Sequence, residues 1–160
     1  MKYIRVNIVD AEPMTRHEFD NLKEQDHACP YDAEGYHVIY PDGYESWCPK
    51  AQFDRAGFPI KMEDRISPED VAEFVARGTE DAEKIGEKTL LLARKYATGI
   101  EDFATSSCVN PENFSAEIGI ENAREKLDGQ VWAFLGWALG WAREGVDKKT
   151  VERPCDPENE

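Results

Sequence analysis

Polar and β-branched positions alternate along residues 3–9, Tyr-Ile-Arg-Val-Asn-Ile-Val, which is the two-residue period of a strand. After Pro13, Thr15 and Glu18 have the spacing of a capping box and predict a short helix running to about Lys23. Residues 25–34 are polar, contain Pro30 and read as a loop. Two aromatic-rich runs between Gly35 and Pro49 flank Pro41-Asp42-Gly43, where the glycine supplies the positive φ of a tight turn; this predicts a β-hairpin. Pro49 can open a short helix with Phe53 turned inward, ending near Gly57.

Residues 57–66 mark a boundary. Ser67-Pro68-Glu69-Asp70 then combines an N-cap serine, proline at the first helical position and acids in the first turn. Val71, Phe74 and Val75 give this helix its apolar face up to Gly78. Residues 88–96 and 100–109 read as two strands joined at Thr98-Gly99, although Leu90 to Arg94 would also extend a helix. Asn110-Pro111 breaks the pattern, and a long helix is predicted from about Ser115 to Glu144. Ile120, Ala123, Leu127, Val131, Phe134, Ala138 and Trp141 recur along it at three- and four-residue steps. Beyond Gln130 the opposite side is apolar too, with Trp132, Leu135, Trp137 and Leu139, and Gly136 and Gly140 permit close approach of another helix. Such a helix is either the central core element or the seam of a homodimer. The succession β-α-ββ-α and then α-ββ-α defines an α+β protein of small antiparallel hairpins packed with helices, ending in a long apolar helix. It divides into an N-terminal module (1–62), a C-terminal module (63–144) and an acidic tail (145–160).

Charge changes this picture most. There are 19 basic residues against 33 acidic ones, a net charge of −14. The acids are spread along the chain, with eight acidic and two basic groups between residues 10 and 34. A surface of this sign repels phosphates, which argues against direct nucleic-acid binding, and attracts a basic protein surface, including one that ordinarily holds nucleic acid. No apolar run reaches the roughly 20 residues of a membrane span. Met1 to Val6 is too short and too charged for a secretory leader, so a cytoplasmic protein is expected. In that compartment Cys29, Cys48, Cys108 and Cys155 are free thiols, Cys108 as a small core residue.

Catalytic and metal chemistry find little support. His17, His27, Cys29, His37 and Cys48 share the first module, yet neither Cys-x2–4-Cys nor His-x3–5-His spacing occurs. No histidine follows His37 to activate a thiol in the second half. Adjacent acids such as Glu63-Asp64 and Glu80-Asp81 read as solvated surface, and no phosphate-cradling glycine loop is present. Neither a cofactor nor a catalytic group is expected.

From residue 65 onward the chain resembles a family of small tailed-phage proteins named only after numbered early gene products. The matching residues are Arg65-Ile-Ser-Pro-Glu-Asp-Val71, Ser106-Ser-Cys-Val-Asn-Pro-Glu-Asn-Phe114, Glu117-Ile-Gly119, Ala123-Arg-Glu125, Val131-Trp132 and Leu135-Gly136. Thr98-Gly99-Ile100 stands where that family usually carries Asn-Gly. The first half is similar to a different phage segment, through Glu12-Pro-Met-Thr15, Gly35-Tyr36, Pro41-Asp-Gly-Tyr-Glu-Ser-Trp47, Pro49-Lys50 and Phe53. The resemblances imply a phage accessory product without implying an activity. Combined with the charge, they lead to the expectation of a host-directed, anti-defence protein that blocks a basic host surface by acidic mimicry. Its binding residues would be the aromatics Tyr36, Tyr40, Tyr44 and Trp47 and the acids Glu63, Asp64, Glu69, Asp70 and Glu73. Trp132, Leu135, Gly136, Leu139 and Gly140 would form an oligomer interface. The alternatives are an oligomer that sequesters a small nucleotide signal, with Arg94, Lys95 or Arg124 on its phosphates, and a metal-binding protein or hydrolase.

Overall fold

The computed structural model describes residues 1–24 and 32–146. Two three-stranded antiparallel sheets and four α-helices make an α+β protein. The first sheet contains β1 (Asp10–Pro13), β2 (Gly35–Ile39) and β3 (Glu45–Pro49), in that order. Helix α1 (Arg16–Leu22) follows β1, and α2 (Lys50–Ala56) continues directly from β3. Thr15 and Glu18 form the expected capping box on α1, and Gly43, at φ +80°, makes the hairpin turn. The strand expected over residues 3–9 is absent; pairing begins only at Asp10, opposite Ile39. The physical reason is the length of β2. Beyond Ile39 the chain turns at Tyr40 to Gly43, so residues before Asp10 have no strand to bond to, whatever their alternation.

The second sheet contains β4 (Thr79–Ile85), β5 (Thr89–Lys95) and β6 (Glu101–Ser107), preceded by α3 (Pro68–Ala76) and followed by α4 (Ala116–Glu144). The expected hairpin is β5–β6; β4 is an additional strand, paired to β5 along its whole length. Its sequence, Thr-Glu-Asp-Ala-Glu-Lys-Ile, carries almost no apolar signal because it is an exposed edge, where charge is tolerated and discourages further pairing.

Alternation along β5 turns Leu90, Leu92, Arg94 and Tyr96 toward α4, and all four are buried. Leu90, Leu92 and Ala104 pack on Ala123 and Leu127, while Tyr96 joins Val71, Val131 and Leu135 in an adjoining cluster. The buried line of α4 is therefore Gly119-Ala123-Leu127-Val131-Leu135, a strict four-residue step. Leu135, expected on the outer side, is buried, and Phe134, expected inside, is 43% exposed. The segment between α2 and α3 reaches this same cluster, since Phe58 packs edge-on against Phe74 at 5.4 Å. Cys108 lies just past β6, only partly buried, with its thiol 3.1 Å from the Asn110 carbonyl oxygen; it is not a core residue. Among the described residues, no helix is long and apolar enough to cross a membrane.

Candidate interaction face

Helix α4 begins at Ser115, whose hydroxyl accepts from the Ile118 amide. Arg124 donates to Glu80 Oε2 at 2.7 Å, and Lys126 donates to the Thr105 carbonyl at 2.7 Å, so two cations are drawn toward the sheet. Glu117, Glu121 and Glu125 are exposed, and among the described residues none of them has an ion-pair partner. At four-residue steps these carboxylates lie about 6 Å apart along the helix. Like charges at this spacing cost an isolated helix a few tenths of a kcal/mol per pair. The result is an ordered acidic row, one face of α4, with its neutralising cations spent elsewhere. A four-residue recurrence of Glu on the polar side of the predicted helix was the signal for it in the sequence.

Beneath this helix lies an ion cluster around Glu80, an acid expected from the sequence to be solvated surface. Arg94, 1% exposed, donates to Glu80 Oε1 through Nε and Nη2, at 2.9 and 2.7 Å, and to Asp128 Oδ1 through Nη1 at 2.7 Å. Burial works against ionisation of Glu80, and the hydrogen bonds from Arg124 and Arg94 outweigh it, holding its carboxyl below the ordinary range. In a strand adjacent residues face opposite sides, so Glu80 meets Arg94 whereas Asp81 remains on the exposed side. The cations considered for phosphate contacts are all engaged: Arg94 and Arg124 with Glu80, Lys95 with Glu101 at 3.2 Å.

The four hairpin aromatics do not share one patch. Tyr36 stacks on Phe53 of α2 with ring centroids 4.5 Å apart and accepts from Lys50 Nζ. Trp47 points to the other face, where its indole N–H donates to the Met14 carbonyl and the Arg16 guanidinium sits over its ring. Tyr40 and Tyr44 meet each other at 5.8 Å beside the turn, Tyr44 being the exposed one. Next to them Glu45 accepts from Lys23 and bonds His37, each at 2.7 Å, and these hydrogen bonds, Lys23's first, pull its carboxyl below the usual value.

Of the expected binding acids, Glu63, Asp64 and Glu69 are exposed, and Glu73 pairs with Arg77 at 2.7 Å. Asp70 is a correction. It is 0% exposed and serves α3 as a cap, accepting from the Ser67 amide and hydroxyl, each at 2.8 Å, and from the Lys61 amide at 3.0 Å. Among the expected oligomer contacts, Leu135 is buried inside the protomer, Trp132, Gly136 and Gly140 are exposed and Leu139 is half-buried. Trp137, 62% exposed, packs edge-on against Trp141 at 5.1 Å, so the outer side of residues 130–142 is an uncharged, tryptophan-rich strip. Among the described residues, no three His, Cys, Asp or Glu side chains gather as a metal site; His27, Cys29, Cys155 and most of the expected tail lie outside those residues.

Residues 60–142 match the phage protein (N4 Gp49/phage Sf6 gene 66) family, a span that takes in α3, the second sheet and nearly all of α4. No curated protein and no solved structure matches the chain.

Proposed function

Since the chain belongs to the N4 Gp49/phage Sf6 gene 66 family of phage proteins, we propose that this phage accessory protein is host-directed, acting against a host defence by occupying a basic surface of a host protein in the host cytoplasm. The acidic row of α4 carries the reading. Glu117, Glu121 and Glu125 are exposed and have no ion-pair partner among the described residues, while Arg124 and Lys126 bond Glu80 and the Thr105 carbonyl. A row of carboxylates at regular spacing offers a basic groove the regular negative charge it would find on nucleic acid, and the surrounding net charge of −14 steers the encounter. The exposed acids Glu63, Asp64 and Glu69 extend the negative surface beyond α4.

The test is capture of host proteins on the immobilised chain at about 0.05 M and about 0.5 M salt, where screening lengths differ several-fold. A partner held at low salt, released at high salt and lost to the E117Q/E121Q/E125Q variant is the expected result. Retention that ignores both salt and the three substitutions would refute the acidic-face reading.

The tryptophan strip favours a second reading, an oligomer built through α4. Two copies of so acidic a chain repel each other except where charge is absent, and residues 130–142 carry none. Sedimentation at micromolar concentration should show a dimer that Trp137→Glu dissociates; a wild-type monomer throughout would dispose of it.

A further inference from the structure

Beyond Arg94, the buried face of β5 ends at Tyr96, where a cavity of about 90 Å³ opens between the sheet, α3 and α4. Its walls include three aromatic rings. Phe74 lies 5.9 Å from Tyr96 and 5.9 Å from Phe134, centroid to centroid, and Ile100 and Val131 complete the apolar lining. Three polar side chains belong to the same wall, Thr98, Asp102 and Gln130, the Gln130 amide facing the Asp102 carboxylate. Tyr96 is 8% exposed, and its hydroxyl lies beside the Arg94 guanidinium, three of whose five N–H groups go to Glu80 and Asp128.

The charge around the cavity has a definite sign. Arg94 and Arg124 are two cations against the three carboxylates Glu80, Asp128 and Asp102, and the first two carboxylates hold both cations. Asp102 is the charge left over. Ring faces are electron-rich, so three of them beside an uncompensated carboxylate disfavour an anion and attract a cation. At about 90 Å³ the space has room for a guanidinium or ammonium head.

We propose that this cavity receives the guanidinium of an arginine side chain presented by the basic partner, stacked among Phe74, Tyr96 and Phe134 and hydrogen-bonded to Asp102. The planar fork of arginine suits it better than the point charge of lysine, since it stacks and donates along one edge at once. The assignment rests on the reading of a basic partner and adds where one of its residues is held.

The test is an NMR titration following the ring signals of Tyr96 and Phe134 with acetyl-Gly-Arg-Gly-amide. Its neutral isostere with citrulline and free arginine serve as comparisons. The arginine tripeptide should shift both rings and bind at least tenfold more tightly than the citrulline peptide. Asp102→Asn and, separately, the rim variant Phe134→Ala should each weaken it about tenfold with the far-UV circular dichroism unchanged. Equal binding of arginine and citrulline peptides, or no shift at millimolar peptide, overturns the inference. Free arginine binding better than the tripeptide overturns presentation by a partner. The E117Q/E121Q/E125Q variant leaves every side chain lining the cavity intact, so it should bind the tripeptide as the wild type does. Loss of host-protein capture by that variant together with a silent titration would leave the acidic face standing and remove only the cavity.

Discussion

Asp70 sits fully buried at the first turn of α3, three residues after the Ser67 cap, and holds the loop before the helix through the Lys61 amide. Burial disfavours its charged form, and the hydrogen bonds from Ser67 and the Lys61 amide outweigh that effect, so it titrates below its ordinary 3.8. With the folded pKa depressed, the unfolded chain takes up the proton first as pH falls. Its stabilisation is therefore complete above the ordinary value and is lost as pH drops through the folded one. Asp70→Asn should cost about 1–2 kcal/mol at neutral pH, and the gap from wild type should close below about pH 4 in urea melts. A gap independent of pH would mean the charge is immaterial. Gly35 presents a steric case: a Cβ built there would lie 2.4 Å from the Trp47 ring and 2.5 Å from the Cys48 carbonyl. Gly35→Ala is expected to destabilise by about 1–3 kcal/mol through overpacking, read as a lower denaturant midpoint with unchanged slope.

Among the elements, α4 and β5 hold the core of the second half, and α4 carries the acidic row proposed for binding. Removing the Arg94 side chain leaves Glu80 and Asp128 facing each other beneath α4. Because those carboxylates are partly exposed, at 21% and 44%, Arg94→Ala should cost about 3 kcal/mol, the low end for breaking a buried pair, in equilibrium unfolding. The acidic row predicts the opposite sign. Replacing Glu121 by Gln relieves two like-charge neighbours and should stabilise α4 by a few tenths of a kcal/mol while weakening partner capture. Stability gained where binding is lost is the signature of a residue kept for recognition. The capping box at Thr15, the N-cap at Ser67, the 35–49 hairpin and the long final helix were legible because each is set by residues close in sequence. Strand β4 was not, because an edge strand of charged residues is defined by the partner it bonds to, and the strand over 3–9 failed for want of one.

Across the whole molecule, a net charge of −14 stores self-repulsion that ordinary salt relieves. Raising ionic strength from about 0.01 to 0.15 M shortens the screening length from about 30 to 8 Å. The melting temperature should rise by about 2–4 °C, the equivalent of about 1 kcal/mol in a chain of this size. A calorimetric scan showing a fall instead would mean that ion pairs such as Arg94–Glu80 outweigh the repulsion. At this scale the expected site was only partly visible. Glu63, Asp64 and Glu69 are at the surface as acids in polar stretches should be, but Asp70 in the same run is buried, and the hairpin aromatics divide between two faces.

The sequence by itself determined the local elements, the α+β class, the excess of negative charge and, through its ordered motifs, the phage family. Each of these depends on residue type, on spacing along the chain, or on a sum over all residues. Tertiary structure alone decided which charges were spent internally. Arg94 is buried because strand alternation aims it under α4, where Glu80 and Asp128 come from distant parts of the chain, and the same packing leaves Glu117, Glu121 and Glu125 in solvent. The cavity beside Tyr96 likewise exists only where three elements meet, and contacts so far apart in sequence leave no periodic trace in it.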